Sequence, residues 1–435
     1  MLAMSLAAEK RALRRLYWSS FALRAGLGLF AWIISSLYDL KLIEDAGQYS
    51  SLAAEVAQNW LAGRPSDWLD NAIAGGRQAW LIVACLAVFY LLSGGYEAIP
   101  VAIVLQSLIT AATPNLAYRC ARGLGIPADG ALFTGRLLAY SPAFVFWAGA
   151  LYKEGVILCI LFLVIDHTLR LQKKISPRSV VVVGLSIIGM FGLRFYMGAI
   201  LAAAILFALV FGRRQARETN PFALIVRQVI VFFLVVIVFV FLGFGSQIEQ
   251  FSDMDKNLQQ INSSRRDLAS YNSGYLRDVD VSSPLQAIQF LPVGLAYFLT
   301  VPLPWHIGST RQNMTILETF LWVVIVYPFA IRGVFRSIRV NSPGTIFLIF
   351  TLMAICTLYA LFIGNIGTAY RVRVQVWAII ALFAGWGWSI RNARRKKIRE
   401  RAKKLVDKSI RPADLSLAPS SAPRLSLPGP GVGPA

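Results

Sequence analysis

Long apolar runs broken by short clusters of Lys and Arg repeat along almost the whole chain. Runs at 16–38, 97–118, 131–150, 155–171, 178–193, 197–212, 222–245, 317–333, 344–363 and 374–390 read as transmembrane helices. Two more, 79–94 and 287–303, are apolar but short. The runs are continuous rather than alternating, which excludes a membrane β-barrel. The expected fold class is therefore an all-α polytopic membrane protein of about ten transmembrane helices, with re-entrant or interfacial helices in its outer loops. The first run is too long for a cleaved signal peptide. No repeat of fixed period is visible, so solenoids and inverted-repeat transporters gain no support.

Charge assigns sides to these runs. Lys10, Arg11, Arg14 and Arg15 precede the first span and place the N-terminus in the cytoplasm. Arg170, Lys173, Lys174 and Arg178 also belong inside, as do Arg213, Arg214 and Arg217, then Arg332, Arg336 and Arg339, and the dense stretch Arg391 to Lys408. The alternation of sides closes with Arg119 and Arg122 inside when 79–94 and 287–303 do not cross; the alternative is that Arg119 and Arg122 lie outside against the rule. Those two segments are expected to be re-entrant or surface-lying, within outer loops at 39–96 and 246–316. The division that follows is a membrane domain at 1–390, a basic cytoplasmic helix extension at 391–410 that meets anionic lipid, and a Pro/Ser/Gly/Leu-rich tail at 411–435 expected to be disordered.

The chain is 57% hydrophobic and 15% charged, a balance no soluble domain of this length shows. Its net charge of +21 would suit nucleic acid, but the charge lies in clusters flanking apolar runs, so membrane lipids are the expected partner and nucleic acid is not. Cys85, Cys120, Cys159 and Cys356 form no CxxC pair and read as packing residues. Two histidines cannot build a histidine-rich metal site.

The assigned sidedness collects unusual polar groups at the outer face: Glu44 with Asp45, Lys153 with Glu154, Arg194 with Tyr196, His306 with Arg311, and Arg371 with Arg373. Ionisable residues at membrane depth face a cavity or a partner. Carboxylates beside arginines suit a lipid-phosphate donor and an alcohol acceptor: a carboxylate takes the acceptor's proton, and arginines hold a phosphate through two parallel bonds. Each residue also has a plainer role. Asp45 with Gln48 resembles a capping box for a helix from Ala46 to Gly63, whose apolar side (Tyr49, Leu52, Ala53, Val56, Trp60) suits the bilayer interface. Lys153 and Glu154 could pair with each other, Arg194 and Tyr196 could anchor at the interface, and His306 could be a loop residue.

Four stretches carry a family resemblance. Glu44-Asp45-Ala46-Gly47-Gln48-Tyr49 resembles the acidic first-loop motif of the GT-C superfamily of membrane glycosyltransferases. Ser141-Pro142 to Trp147 with Leu151-Tyr152-Lys153-Glu154 is similar to that superfamily's second outer loop, although Lys153 beside the acid departs from many members. Val301-Pro302-Leu303-Pro304-Trp305 and the turn from Gly364 to Arg373 resemble elements of the polysaccharide-associated bacterial members. The resemblance implies a transferase of the bacterial inner membrane, both termini cytoplasmic. It would use a polyprenyl-phosphate-linked sugar on the periplasmic face, act on a lipid-linked glycan or related acceptor in exopolysaccharide or cell-envelope synthesis, and work with polysaccharide assembly proteins. Asp45 is then the candidate base, Glu44 its alternative, and Glu154 the second acid, orienting substrate or holding a divalent metal if one is used. Tyr49, Lys153, Arg194, Tyr196, His306, Arg371 and Arg373 are the candidate substrate contacts. A polymerase of lipid-linked repeat units and a lipid-linked glycan flippase are the alternatives; Arg24, Arg136 and Arg227, in or near spans, speak for the latter.

Overall fold

The computed structural model describes residues 5–38, 44–74, 79–211, 254–303, 305–306 and 310–410. The expected span at 222–245 with Arg227, the cluster at Arg213, and the tail at 411–435 lie outside them. Among the described residues the fold is helical, with no strand beyond one isolated bridge between Gly274 and Asn365. Five helices are long and apolar enough to cross a membrane, or six when one sharply bent pair is taken as a single span. The chain is an all-α, multi-pass membrane protein.

Helix α1 (Leu6–Tyr38) starts well before the first apolar run, carrying its basic residues on helix. It is followed by α2 (Glu44–Leu61), α3 (Asp67–Ala74) and α4 (Trp80–Leu91). At 12 residues α4 is too short to span in one straight pass, as its apolar length predicts. Helix α2 ends as the sequence suggests: Gly63 takes a left-handed φ of 68°, and Arg64 N–H bonds back to Asn59 O at 2.9 Å. Its start differs. The helix begins at Glu44, so Asp45 lies inside the first turn and does not cap it. Nor does α2 present its inner side to lipid alone: Ala46, Ser50, Ala53, Ala54, Val56 and Ala57 are buried, and Ser50 bonds Tyr90 of α4 at 2.7 Å.

Next come α5 (Ile99–Thr110), α6 (Thr113–Gly123), α7 (Ala128–Tyr140), α8 (Pro142–Gly149) and α9 (Lys153–Lys173). The run at 131–150, expected as one span, is two helices. Pro142 cannot continue α7, so the chain turns at an extended Ser141 and starts α8 with that proline in its first turn. A second turn, with Leu151 at φ 58°, sets α9 at 109° to α8. That bend delivers Lys153 and Glu154 to the buried first turn of a long apolar helix. Helix α1 packs on α8 backbone to backbone: a Cβ on Gly28 would strike the Gly149 carbonyl, and one on Gly149 would strike that of Arg24.

The remaining helices among the described residues are α10 (Pro177–Leu193), α11 (Phe195–Phe211), α12 (Met254–Ser270), α13 (Pro284–Thr300), α14 (Thr310–Leu321), α15 (Tyr327–Val340), α16 (Ser342–Phe362) and α17 (Ile366–Ile410). A π-turn at Trp322–Val326 joins α14 to α15 where Pro328 withholds a donor. Helix α13, at 17 residues, is the second short apolar segment that the charge pattern sets apart. The membrane part of α17 is the most enclosed of the spans, with Trp377 stacked on Trp322 at 4.6 Å. The polar stretch holding α12 is pinned by one buried arginine. Arg265 donates to Ile363 O at 2.8 Å and to Leu276 O at 3.3 Å, with its guanidinium 4.5 Å from the Phe290 ring. Arg265→Met should leave the Leu276 carbonyl without its partner, while Ile363 O keeps the Tyr275 hydroxyl at 2.8 Å, and cost about 1–3 kcal/mol, read as a lower unfolding midpoint and faster proteolysis within 254–286.

The described residues 390–410 belong to a second unit; they are helical and largely exposed, with a Lys396–Glu400 pair at 3.9 Å.

Candidate functional site

The first turn of α9 brings Glu154 to a fully buried position, at 0% exposure. A carboxylate there needs compensating charge, and two arginines provide it. Arg194, in the extended residue between α10 and α11, donates from Nη2 to Glu154 Oε1 at 2.9 Å. Arg371, in the second turn of α17, donates from Nε to the same oxygen at 2.7 Å. The Nη1 of Arg371 also binds Asp45 Oδ2, bringing the first turn of α2 into the cluster. Segments separated by more than three hundred residues thus form one chain of alternating charge, Asp45–Arg371–Glu154–Arg194.

Aromatic groups wall it. The Arg371 guanidinium lies 4.7 Å from the Tyr152 ring and 5.7 Å from the Trp147 ring, and Arg194 lies 5.7 Å from Tyr196. Tyr49 stands beside Arg371 and Asp45; burial pushes its hydroxyl up to about 12 against the pull of Arg371, so at neutral pH it is a donor and not a base. Lys153 is buried next to Glu154. The network runs on from Arg194 Nη1 to the Tyr359 hydroxyl at 3.0 Å, which donates to Gln375 Oε1 at 2.6 Å.

The two carboxylates are not equivalent. The Asp45 side chain is 37% exposed and that of Glu154 0%. Asp45 is accessible from outside the cluster, whereas Glu154 is enclosed between guanidiniums. Buried atoms without a hydrogen-bond partner mark where the cluster is incomplete: Glu154 Oε2, an acceptor, and Gln375 Nε2, a donor. Two further donors without a partner, Arg194 Nε and Trp147 Nε1, lie in the same cluster and its aromatic wall.

Of the residues singled out from sequence, the structure joins Asp45, Tyr49, Glu154, Arg194, Tyr196 and Arg371 in this network. Glu44 opens α2, and its side chain lies outside the described residues, as does that of Arg311. His306 is engaged in its own turn, accepting from Leu303 N–H at 3.2 Å and packing 6.4 Å from Tyr297. Arg373, grouped with Arg371 in the sequence, points elsewhere. Residues two apart on a helix lie about 200° apart, and the Arg373 guanidinium sits 5.7 Å from Phe298 and 5.5 Å from Trp377.

Sequence reasoning passed over Gln375, Tyr359 and Glu318. Glu318 is buried in α14, accepting from Ala143 N–H at 3.0 Å and from the Tyr370 hydroxyl. A lone carboxylate in the apolar stretch from Ile316 to Val326 was its visible signal.

No group of three or more His, Cys, Asp or Glu side chains placed to hold a metal occurs among the described residues. Asp45 and Glu154 both bind Arg371, so a divalent cation between them would face that guanidinium's charge. Arg24, one of the residues that would speak for transport, donates to Thr110 O and, at 3.2 Å, to Leu138 O, tying α1 to two helix ends. No protein-family model matches the chain, and no curated protein matches it.

Proposed function

We propose that this chain is an integral-membrane glycosyltransferase of GT-C-like architecture, with about ten spans, its active site on the periplasmic face of a bacterial inner membrane and both termini in the cytoplasm. It would transfer a sugar from a polyprenyl-phosphate-linked donor to a lipid-linked glycan or related acceptor. One observation carries this reading: a half-exposed carboxylate and a fully buried one share a single guanidinium, Arg371, beside unfilled hydrogen-bonding atoms.

In that reaction Asp45 accepts the proton of the acceptor hydroxyl as its oxygen bonds to the anomeric carbon. The bond from that carbon to the phosphate oxygen breaks, and the phosphate leaves with the electron pair. Arg371, which keeps donor hydrogens beyond its bonds to Asp45 and Glu154, stabilises the charge gathering on it. Glu154 and Arg194 hold Arg371 in place and stay out of the proton transfer. A flippase would need charged groups along a path through the membrane, and Arg24 is instead committed to packing.

Asp45→Asn is the direct test. It keeps the shape of the side chain and removes the base, so product formation in membranes should fall about 10²–10⁴-fold while the protein accumulates and unfolds at a near-normal temperature. Full activity in that variant would remove Asp45 from the mechanism. A polymerase is told apart by what accumulates: single complete repeat units, rather than an unfinished unit.

A further inference from the structure

Arg373 is the least compensated charge in the described structure. It is 0% exposed, and its Nε, Nη1 and Nη2 all lack a hydrogen-bond partner. Its surroundings are aromatic: Phe298 of α13 at 5.7 Å and Trp377, one turn further along α17, at 5.5 Å. Its titratable neighbours are Tyr327, Tyr275, Tyr370, Cys356 and Glu318. None of these supplies a bonded counter-charge. The Tyr327 hydroxyl donates to Leu299 O at 2.9 Å and accepts from Trp377 Nε1 at 3.0 Å. The Tyr275 hydroxyl donates to Ile363 O at 2.8 Å. The Glu318 carboxylate is taken up by Ala143 N–H and the Tyr370 hydroxyl. The hydroxyls of Tyr327, Tyr275 and Tyr370 and the Glu318 carboxylate are thus satisfied elsewhere, and the guanidinium is left with its full set of donors. A buried cation without a partner is costly and persists where a ligand completes it.

We infer that the unpartnered guanidinium of Arg373 is a buried anion subsite for a phosphoryl group, distinct from the Asp45–Arg371–Glu154 cluster and on the other side of α17. A planar fork of five N–H donors matches phosphate oxygens in pairs. The flanking faces of Phe298 and Trp377 suit a phosphate carried on an apolar chain better than one surrounded by water. Where the transferase reading holds, this subsite seats the phosphate of a lipid-linked substrate; the binding of the anion does not depend on that reading.

The test is thermal unfolding of the full chain in maltoside micelles, which contain no phosphate, with dodecyl phosphate, inorganic phosphate, or chloride at matched ionic strength. Dodecyl phosphate at saturation should raise the midpoint of the wild type by about 2–4 °C. A response to dodecyl phosphate alone identifies a lipid phosphate, and an equal response to inorganic phosphate identifies the free anion. Arg373→Met should lose the response and, without ligand, unfold at or above the wild-type temperature, because it replaces an unpaired charge with an apolar chain of similar length. Arg373→Lys should respond weakly, and Asp45→Asn should respond as the wild type does. The inference is overturned by a full response in Arg373→Met, by no response of the wild type to either phosphate, or by a ligand-free midpoint of Arg373→Met well below wild type. A failed transferase reading would show instead as unchanged activity in Asp45→Asn, with the phosphate response intact.

Discussion

Glu154→Ala is expected to cost about 3–5 kcal/mol and to lower the yield of folded protein sharply. The carboxylate is at 0% exposure, and its Oε1 takes bonds from Arg194 at 2.9 Å and Arg371 at 2.7 Å. Removing it leaves one guanidinium almost wholly buried and a second with Asp45 as its remaining carboxylate partner. The loss is therefore mainly the cost of stranded charge, not the worth of a pair. Two further variants separate these terms. Glu154→Gln keeps an acceptor and should recover part of the stability. Glu154→Ala combined with Arg194→Met removes one of the stranded charges and should be more stable than Glu154→Ala alone. Unfolding midpoints in micelles measure all three. A double variant that falls by the sum of its parts would show that the two residues contribute independently.

Gly149→Leu should be at least as damaging, by a different route. Gly149 faces the backbone of Arg24 closely enough that even a Cβ cannot be placed without moving α1 or α8. Residues in a membrane interface of this type gain stability from close backbone approach, and no layer of water yields to a new side chain. Moving α1 would also break the bonds of Arg24 to Thr110 O and Leu138 O. Overpacking at such a contact costs about 1–3 kcal/mol or more, to which the lost arginine bonds add. Gly149→Ala should show a smaller effect of the same sign, and Gly184→Ala, where no atom lies near the position a Cβ would take, should be close to neutral.

Much of the helical plan is readable from hydropathy, because every apolar run must satisfy its backbone internally. The two short segments emerge as α4 and α13 close to their expected bounds. Breaks within a run are harder to read: Pro142 splits 131–150, and nothing in the apolar pattern around it announces the 109° bend that follows. The site divides in the same way. Charge alternation predicts that Asp45, Glu154, Arg194 and Arg371 share one side, since sidedness is a property of each loop alone. Which of them touch is decided by helix packing, and rotation about α17 separates Arg371 from Arg373 although both lie in one short turn of sequence. Arg265 was hidden for the converse reason: it lies in a polar, mixed-charge stretch that reads as solvated, yet it is 1% exposed.

The placement of Arg371 and Arg373 on a single rigid helix has an energetic consequence. Any rotation or shift of α17 that moves one guanidinium also moves the other. Where both guanidiniums take a ligand, their occupancies are thermodynamically linked, and each ligand alters the affinity of the other by the same factor.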